Sequence, residues 1–148
     1  SFDTLFGDYL KGARRIEIID PYIRTFHQCR NLMELLEVAL RNFDYKAPSL
    51  EVHLVTGPDD YDVDKQRDYL DQIAEAMAPQ GLDFTYEIDT SGSIHARHLK
   101  VDDSWDILLD RGLDIFQKFD SGNAFAIENR MPEMRRVRQF EATYLKKD

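Results

Sequence analysis

The chain has 148 residues, 43% of them hydrophobic and 32% charged, with a formal net charge of −9. That length and balance suit one globular domain with a substantial core, and no apolar run approaches the roughly 20 residues that span a bilayer. The charge argues against general charge-driven binding to nucleic acid or anionic membranes, and the single Cys29 leaves no disulfide partner and no multi-cysteine zinc site.

In chain order, Phe2, Leu5, Phe6, Tyr9 and Leu10 recur at helical spacing, with Gly12 as a stop. Arg14 to Asp20 is rich in β-branched residues and ends at Asp20-Pro21, which reads as a buried strand feeding a loop. A long amphipathic helix follows, its apolar stripe made by Phe26, Cys29, Leu32, Leu36, Leu40 and Phe43 and widened by Met33, Leu35 and Ala39. Ala47-Pro48-Ser49 breaks it. Leu50 to Val55 predicts a second strand, and a third helix runs from about Val63 to Met77, ending near Pro79 and Gly81. Leu82 to Ile88, His95 to Val101 and Trp105 to Leu109 predict strands, and Leu113 to Lys118 a short helix. In the last segment Arg136, Arg138, Phe140, Ala142 and Tyr144 fit one face of a strand better than Met134, Val137, Glu141 and Tyr144 fit a helix. The early βαβ alternation predicts an α/β fold: a parallel-containing central sheet covered by helices on both faces.

Charge is unevenly spread. From Asp59 to Asp71 six Asp face only Lys65 and Arg67, whereas from Arg130 to Lys147 six Lys or Arg face only Glu133 and Glu141. Arg135, Arg136 and Arg138 therefore form a candidate basic face on an acidic body. The Asp-rich loop at Asp59, Asp60, Asp62 and Asp64 departs from a calcium loop. Lys65 stands where Gly is needed and Asp71 where Glu is needed, and carboxylates meeting a helix dipole explain it better. No metal site and no cofactor are expected.

Chemistry gathers at three places. Tyr22 and Arg24, directly after the first buried strand, are candidates to line a crevice beyond the strand's carboxyl end. His95-x-Arg97 on a strand would place both side chains on one face, with Arg97 as a phosphate clamp, His95 as a nucleophile or proton carrier and Asp102 as its orienting carboxylate. Arg111-Gly112 follows the Trp105 strand, where Gly permits close approach of a ligand to the backbone. The bland alternatives are a rigid turn, a surface strand carrying two His and two bases, and an ordinary glycine turn.

His95-x-Arg97-x4-Asp102 resembles the phospholipase D signature, with Arg in the place of Lys. Taken with the N-terminal aromatic helix, Asp20-Pro21-Tyr22-Ile23-Arg24, His27-Gln28, Asn31, Ser93-Ile94, Trp105 and Arg111-Gly112-Leu113-Asp114-x-Phe116, the whole chain resembles the phospholipase D-like domain found at the C-terminus of MIT-domain proteins. The resemblance implies a phospholipase D-like αβα sandwich with a central mixed sheet. It also implies a non-catalytic homodimer that binds acidic phospholipids.

The expectation is therefore a single domain over residues 1–148 that is a fragment of a larger protein, beginning as it does at Ser1 rather than Met. It is expected in the cytoplasm, peripheral to a membrane, with the remaining domains of its parent chain as partners. The leading reading is a homodimer that binds acidic membrane phospholipid or another phosphate-bearing ligand without catalysis, through Tyr22, Arg24, His95, Arg97, Arg111 and Gly112. A dimerisation or protein-interaction module ranks second. A dimeric phosphodiesterase or nuclease ranks third, because two-motif chemistry needs two histidines and this chain would have to pair its His95 across a two-fold axis.

Overall fold

A computed structural model of the chain describes residues 2–44, 46, 48–102, 104–109 and 142–146. Helix α1 (Phe2–Leu10) leads into strand β1 (Arg15–Ile19), helix α2 (Phe26–Arg41), strand β2 (Leu50–Thr56) and helix α3 (Val63–Met77). A single 3-10 turn, Ala78–Gln80, closes α3 before β3 (Leu82–Ile88), β4 (Arg97–Val101), β5 (Trp105–Leu109) and β6 (Ala142–Lys146). The strands form one six-stranded mixed sheet in the order β3-β2-β1-β4-β5-β6. β1, β2 and β3 run parallel, and β4, β5 and β6 add antiparallel.

The two parallel crossovers step the same way across the sheet, so right-handed connections place α2 and α3 on one face. The core agrees. Ile16, Ile18, Val52, Leu54, Phe84, Leu99, Val101 and Ile107 form one buried cluster with Phe6 and Leu10 of α1, Leu32, Leu35 and Leu36 of α2, and Leu70, Ile73 and Met77 of α3. Alternation is the cause: β2 reads buried at Leu50, Val52, Leu54 and Thr56 while Glu51, His53 and Val55 face the other way. Expected class and observed class coincide, an α/β fold with helices against a central mixed sheet. Among the described residues the three long helices share one face of it.

Most elements lie within a residue or two of their sequence-based spans, with three differences. The strand expected at His95 to Val101 begins at Arg97, and His95 stands exposed in the irregular stretch before it. Phe26, assigned to the inward stripe of α2, is 63% exposed, because it opens the helix and reaches past the core to rest on Tyr69 at 5.9 Å. The strand expected around residues 136–144 is seen as β6 from Ala142, and the rest of that segment lies outside the described residues, as does the helix expected at 113–118.

Buried polar groups knit the loops at the carboxyl ends of β1 and β2. Gln66 has no exposed surface; its Nε2 donates to the carbonyls of Ile23 (2.9 Å) and Gly57 (2.8 Å), and its Oε1 accepts the Asp59 N–H (2.8 Å). Thr56 Oγ1 accepts the Ile23 N–H at 3.1 Å, and the Gly57 N–H donates to the Pro21 carbonyl at 3.1 Å. These bonds satisfy backbone groups that would otherwise be buried without partners. Gly57 is required by this approach, since a Cβ there would lie 2.8 Å from the Pro21 carbonyl oxygen and 3.2 Å from the Arg24 guanidinium. Gly57→Ala must displace backbone, and urea unfolding is expected to show a loss of about 1–3 kcal/mol.

At the opposite end, Asp102 closes the β4–β5 turn with φ +50°. Its carboxylate accepts the N–H groups of Arg14 (3.0 Å) and Arg15 (2.8 Å), and its own N–H donates to the Arg15 carbonyl (2.7 Å). Asp102→Ala removes an acceptor for two donors and is expected to cost about 1–2 kcal/mol in the same assay. Asp102→Asn, which keeps a side-chain acceptor and tolerates positive φ, should cost less.

Candidate functional site

Because β4 runs antiparallel to β1, with Ile19 opposite His98, its first residue is carried to the carboxyl end of β1. There Arg97 meets the loop that follows β1. Asp20 is only 2% exposed, yet carries a carboxylate; Oδ1 accepts the Tyr22 N–H at 3.0 Å and lies 4.0 Å from Arg97 Nε. Asp20, two residues from Ile18, shares the helix-covered side with it, and Arg97 shares that side with Leu99.

Tyr22 stands over this pair, 44% exposed. Two guanidiniums lie over its ring, Arg97 at 4.7 Å and Arg24 at 5.0 Å from the centroid. Such cation–π placements hold both cations at one spot without neutralising them. Arg24 is fixed further by Nε donating to the Pro21 carbonyl (3.0 Å) and by an ion pair with Asp60 (3.4 Å), whose carboxylate is largely in solvent. Its backbone enters α2 through Gln28, whose side-chain oxygen accepts the N–H groups of Arg24 (2.9 Å) and Thr25 (3.0 Å) and satisfies donors at the helix start. On the neighbouring loop, Asp62 caps α3 by accepting the Lys65 N–H at 3.0 Å.

Tyr22, Arg24 and Arg97, expected from sequence to bind ligand, are thus brought together. His95 is two residues ahead of Arg97, exposed, and reached through a turn in which Asp89 accepts the Ser91 N–H (2.8 Å) and the Ser93 hydroxyl (3.3 Å). Hydrogen bonds from Ser91 hold the Asp89 carboxyl below the ordinary carboxylate range. Asp102 is not brought to His95. It sits five residues beyond Arg97 along β4, about 16 Å at strand rise, and its carboxylate serves the start of β1. Arg111, Gly112, Arg135, Arg136 and Arg138 lie outside the described residues.

An imidazole–carboxylate pair forms between His98 and Asp106, Nδ1 to Oδ1 at 2.8 Å, on the sheet face away from Arg97. Hairpin register was the signal for it, since His98 opposes Leu108 and Asp106 is one side-chain repeat away on the same face. Asp20 is the other residue whose role sequence reasoning passed over; an Asp at the end of a buried apolar run is a charge in need of a partner. Cys29 is buried, and burial pushes its thiol up to about 11, which keeps it protonated and unreactive at neutral pH. Among the described residues no three His, Cys, Asp or Glu converge to hold a metal ion, and no helix is long and apolar enough to cross a membrane.

The family model for the phospholipase D-like domain at the C-terminus of MIT matches residues 1–146. The mouse (Mus musculus) protein MIT domain-containing protein 1 is 32% identical over 120 residues, which cover 80% of this chain and 46% of that protein. The chain thus spans about half the length of the curated relative it matches. On both grounds the chain belongs to the family of phospholipase D-like domains found at the C-terminus of MIT proteins.

Proposed function

We propose that this domain binds phosphate-bearing ligands, and acidic membrane phospholipids in particular, as a homodimer and without catalysis, at the surface of a membrane and as one part of a longer chain. The observation that carries the reading is the gathering of Arg24 and Arg97 on Tyr22 at the carboxyl end of β1. Guanidiniums present paired donors that match phosphate oxygens, and a ligand phosphate would compete with the exposed Asp60 carboxylate for Arg24. The absence of catalysis is supported by one His-x-Arg motif per chain and by the separation of Asp102 from His95.

Cosedimentation with vesicles of neutral and of acidic lipid, across a salt series, tests this. Binding should require the acidic lipid and fade with salt, since screening acts over about 8 Å at physiological ionic strength. Arg24→Ala should weaken it about tenfold, the scale of one charge-assisted hydrogen bond of roughly 1.5–3 kcal/mol. His95→Ala should change neither vesicle binding nor the absence of phosphodiesterase turnover. Equal sedimentation with neutral and acidic vesicles would sink the phosphate reading.

Arg97 needs separate handling because it faces a buried carboxylate. Arg97→Ala removes a cation that faces the buried Asp20 carboxylate and is expected to lower stability by roughly 1–3 kcal/mol in thermal unfolding. Arg97→Lys keeps the charge but loses the planar fork, so it should weaken vesicle binding while melting close to the parent chain. A melting loss in Arg97→Lys as large as in Arg97→Ala would show that the fork, and not its charge, holds Asp20.

A further inference from the structure

Among the residues whose burial is described, large apolar side chains are almost all covered. Among them only Tyr22, Phe26, Tyr61 and Leu108 are substantially exposed; Tyr22 and Tyr61 stand on the loops at the carboxyl ends of β1 and β2, and Phe26 on the helix start that the first loop enters. Phe26 opens α2, two residues from Arg24, and is 63% exposed. Tyr61 is 99% exposed at the tip of the loop before α3, beside Asp60, whose carboxylate meets Arg24 at 3.4 Å. Tyr22 lies beneath both guanidiniums. Three exposed aromatic rings therefore stand at the end of the sheet where the cation pair lies, with Tyr22 in contact with it.

We infer that this aromatic crown is inserted into the interfacial layer of a bilayer, with Phe26 and Tyr61 entering between headgroups while Arg24 and Arg97 hold lipid phosphates. The inference rests on the phosphate-binding reading above and adds the apolar half of the contact. Tyr and Phe rings suit the headgroup level because an apolar body sits beside polar neighbours. A patch of this kind binds by buried apolar area together with attraction to anionic lipid, and needs no spanning helix. The Tyr61 loop also carries Asp59, Asp60 and Asp62, so its contact with an anionic surface rests on the rings and on Arg24, which exchanges the exposed Asp60 carboxylate for a lipid phosphate. The apolar half of the contact does not depend on the net charge of −9.

Tryptophan substitution reads insertion directly. The native Trp105 packs edge-on against Tyr9 at 4.8 Å, at the far end of the sheet, and serves as an internal reference. Phe26→Trp and Tyr61→Trp, both at exposed positions, are mixed with vesicles of phosphatidylcholine and phosphatidylserine with and without a shallow nitroxide-labelled phosphatidylcholine. Emission from both added tryptophans should shift to the blue and be quenched by the shallow label, while the parent chain's Trp105 stays unquenched. Phe26→Ala should weaken vesicle binding on the order of tenfold, from the lost apolar area, and leave the salt dependence in place. Sedimentation with acidic vesicles while both added tryptophans remain unshifted and unquenched would overturn insertion and leave the phosphate reading standing. No sedimentation of the parent chain with any vesicle would overturn both.

Discussion

A carboxylate taken out of water at the end of a strand has to be answered by a charge or by several donors, and Asp20 is that group here. Desolvating it costs several kcal/mol before compensation. The Tyr22 N–H supplies one donor, and the Arg97 guanidinium, at 4.0 Å, supplies the charge. This need ties the loop after β1 to the first residue of β4, nearly eighty residues later in the chain. Asp20 accepts the Tyr22 N–H, and the Tyr22 ring takes both the Arg97 and the Arg24 guanidinium. The cation pair on the surface is in this sense a consequence of an anion beneath it.

Sheet topology explains why the site falls where it does. β1 has a parallel neighbour, β2, on one side and an antiparallel neighbour, β4, on the other. The reversal at that seam brings the end of one strand against the beginning of another, and crevices of open α/β sheets form at such points. Thr56, Gly57 and Gln66 then brace the loop from the β2 side by satisfying its backbone groups. A shift in Gly57 or Gln66 would therefore be felt by Arg24, although neither residue carries the chemistry.

The fold was legible where periodicity was strong. The alternation of β2 and the three-to-four spacing along α2 and α3 identify their elements because each has one face buried in the same core. Phe26 was misplaced for a reason the same rule supplies: at the first residue of a helix a ring on the apolar stripe lies beyond the layer it would pack into. Tyr22 and Arg24 were legible as candidates from their position after the first buried strand, and Arg97 from the His95-x-Arg97 spacing. What joins them was not, because pairing of β1 with β4 is a long-range fact that local pattern does not encode. His95 and Asp102 looked like partners on spacing alone, but a strand separates residues by about 3.3 Å each, and Asp102 found nearer donors at Arg14 and Arg15.

An acidic domain that meets an anionic partner needs its positive charge concentrated and its negative charge engaged. The first condition follows from the packing around β1: burial of Asp20 draws one guanidinium to the Tyr22 ring, and the Pro21 carbonyl and Asp60 hold the second. The second is met only in part, by the ion pair of Asp60 with Arg24. Net charge then describes the whole molecule, whereas the end of the sheet sets the local arrangement of cations. Exposed rings at the same end extend that logic to an apolar phase, because Tyr22, Phe26 and Tyr61 lie on the segments that follow β1 and β2, beside Arg24.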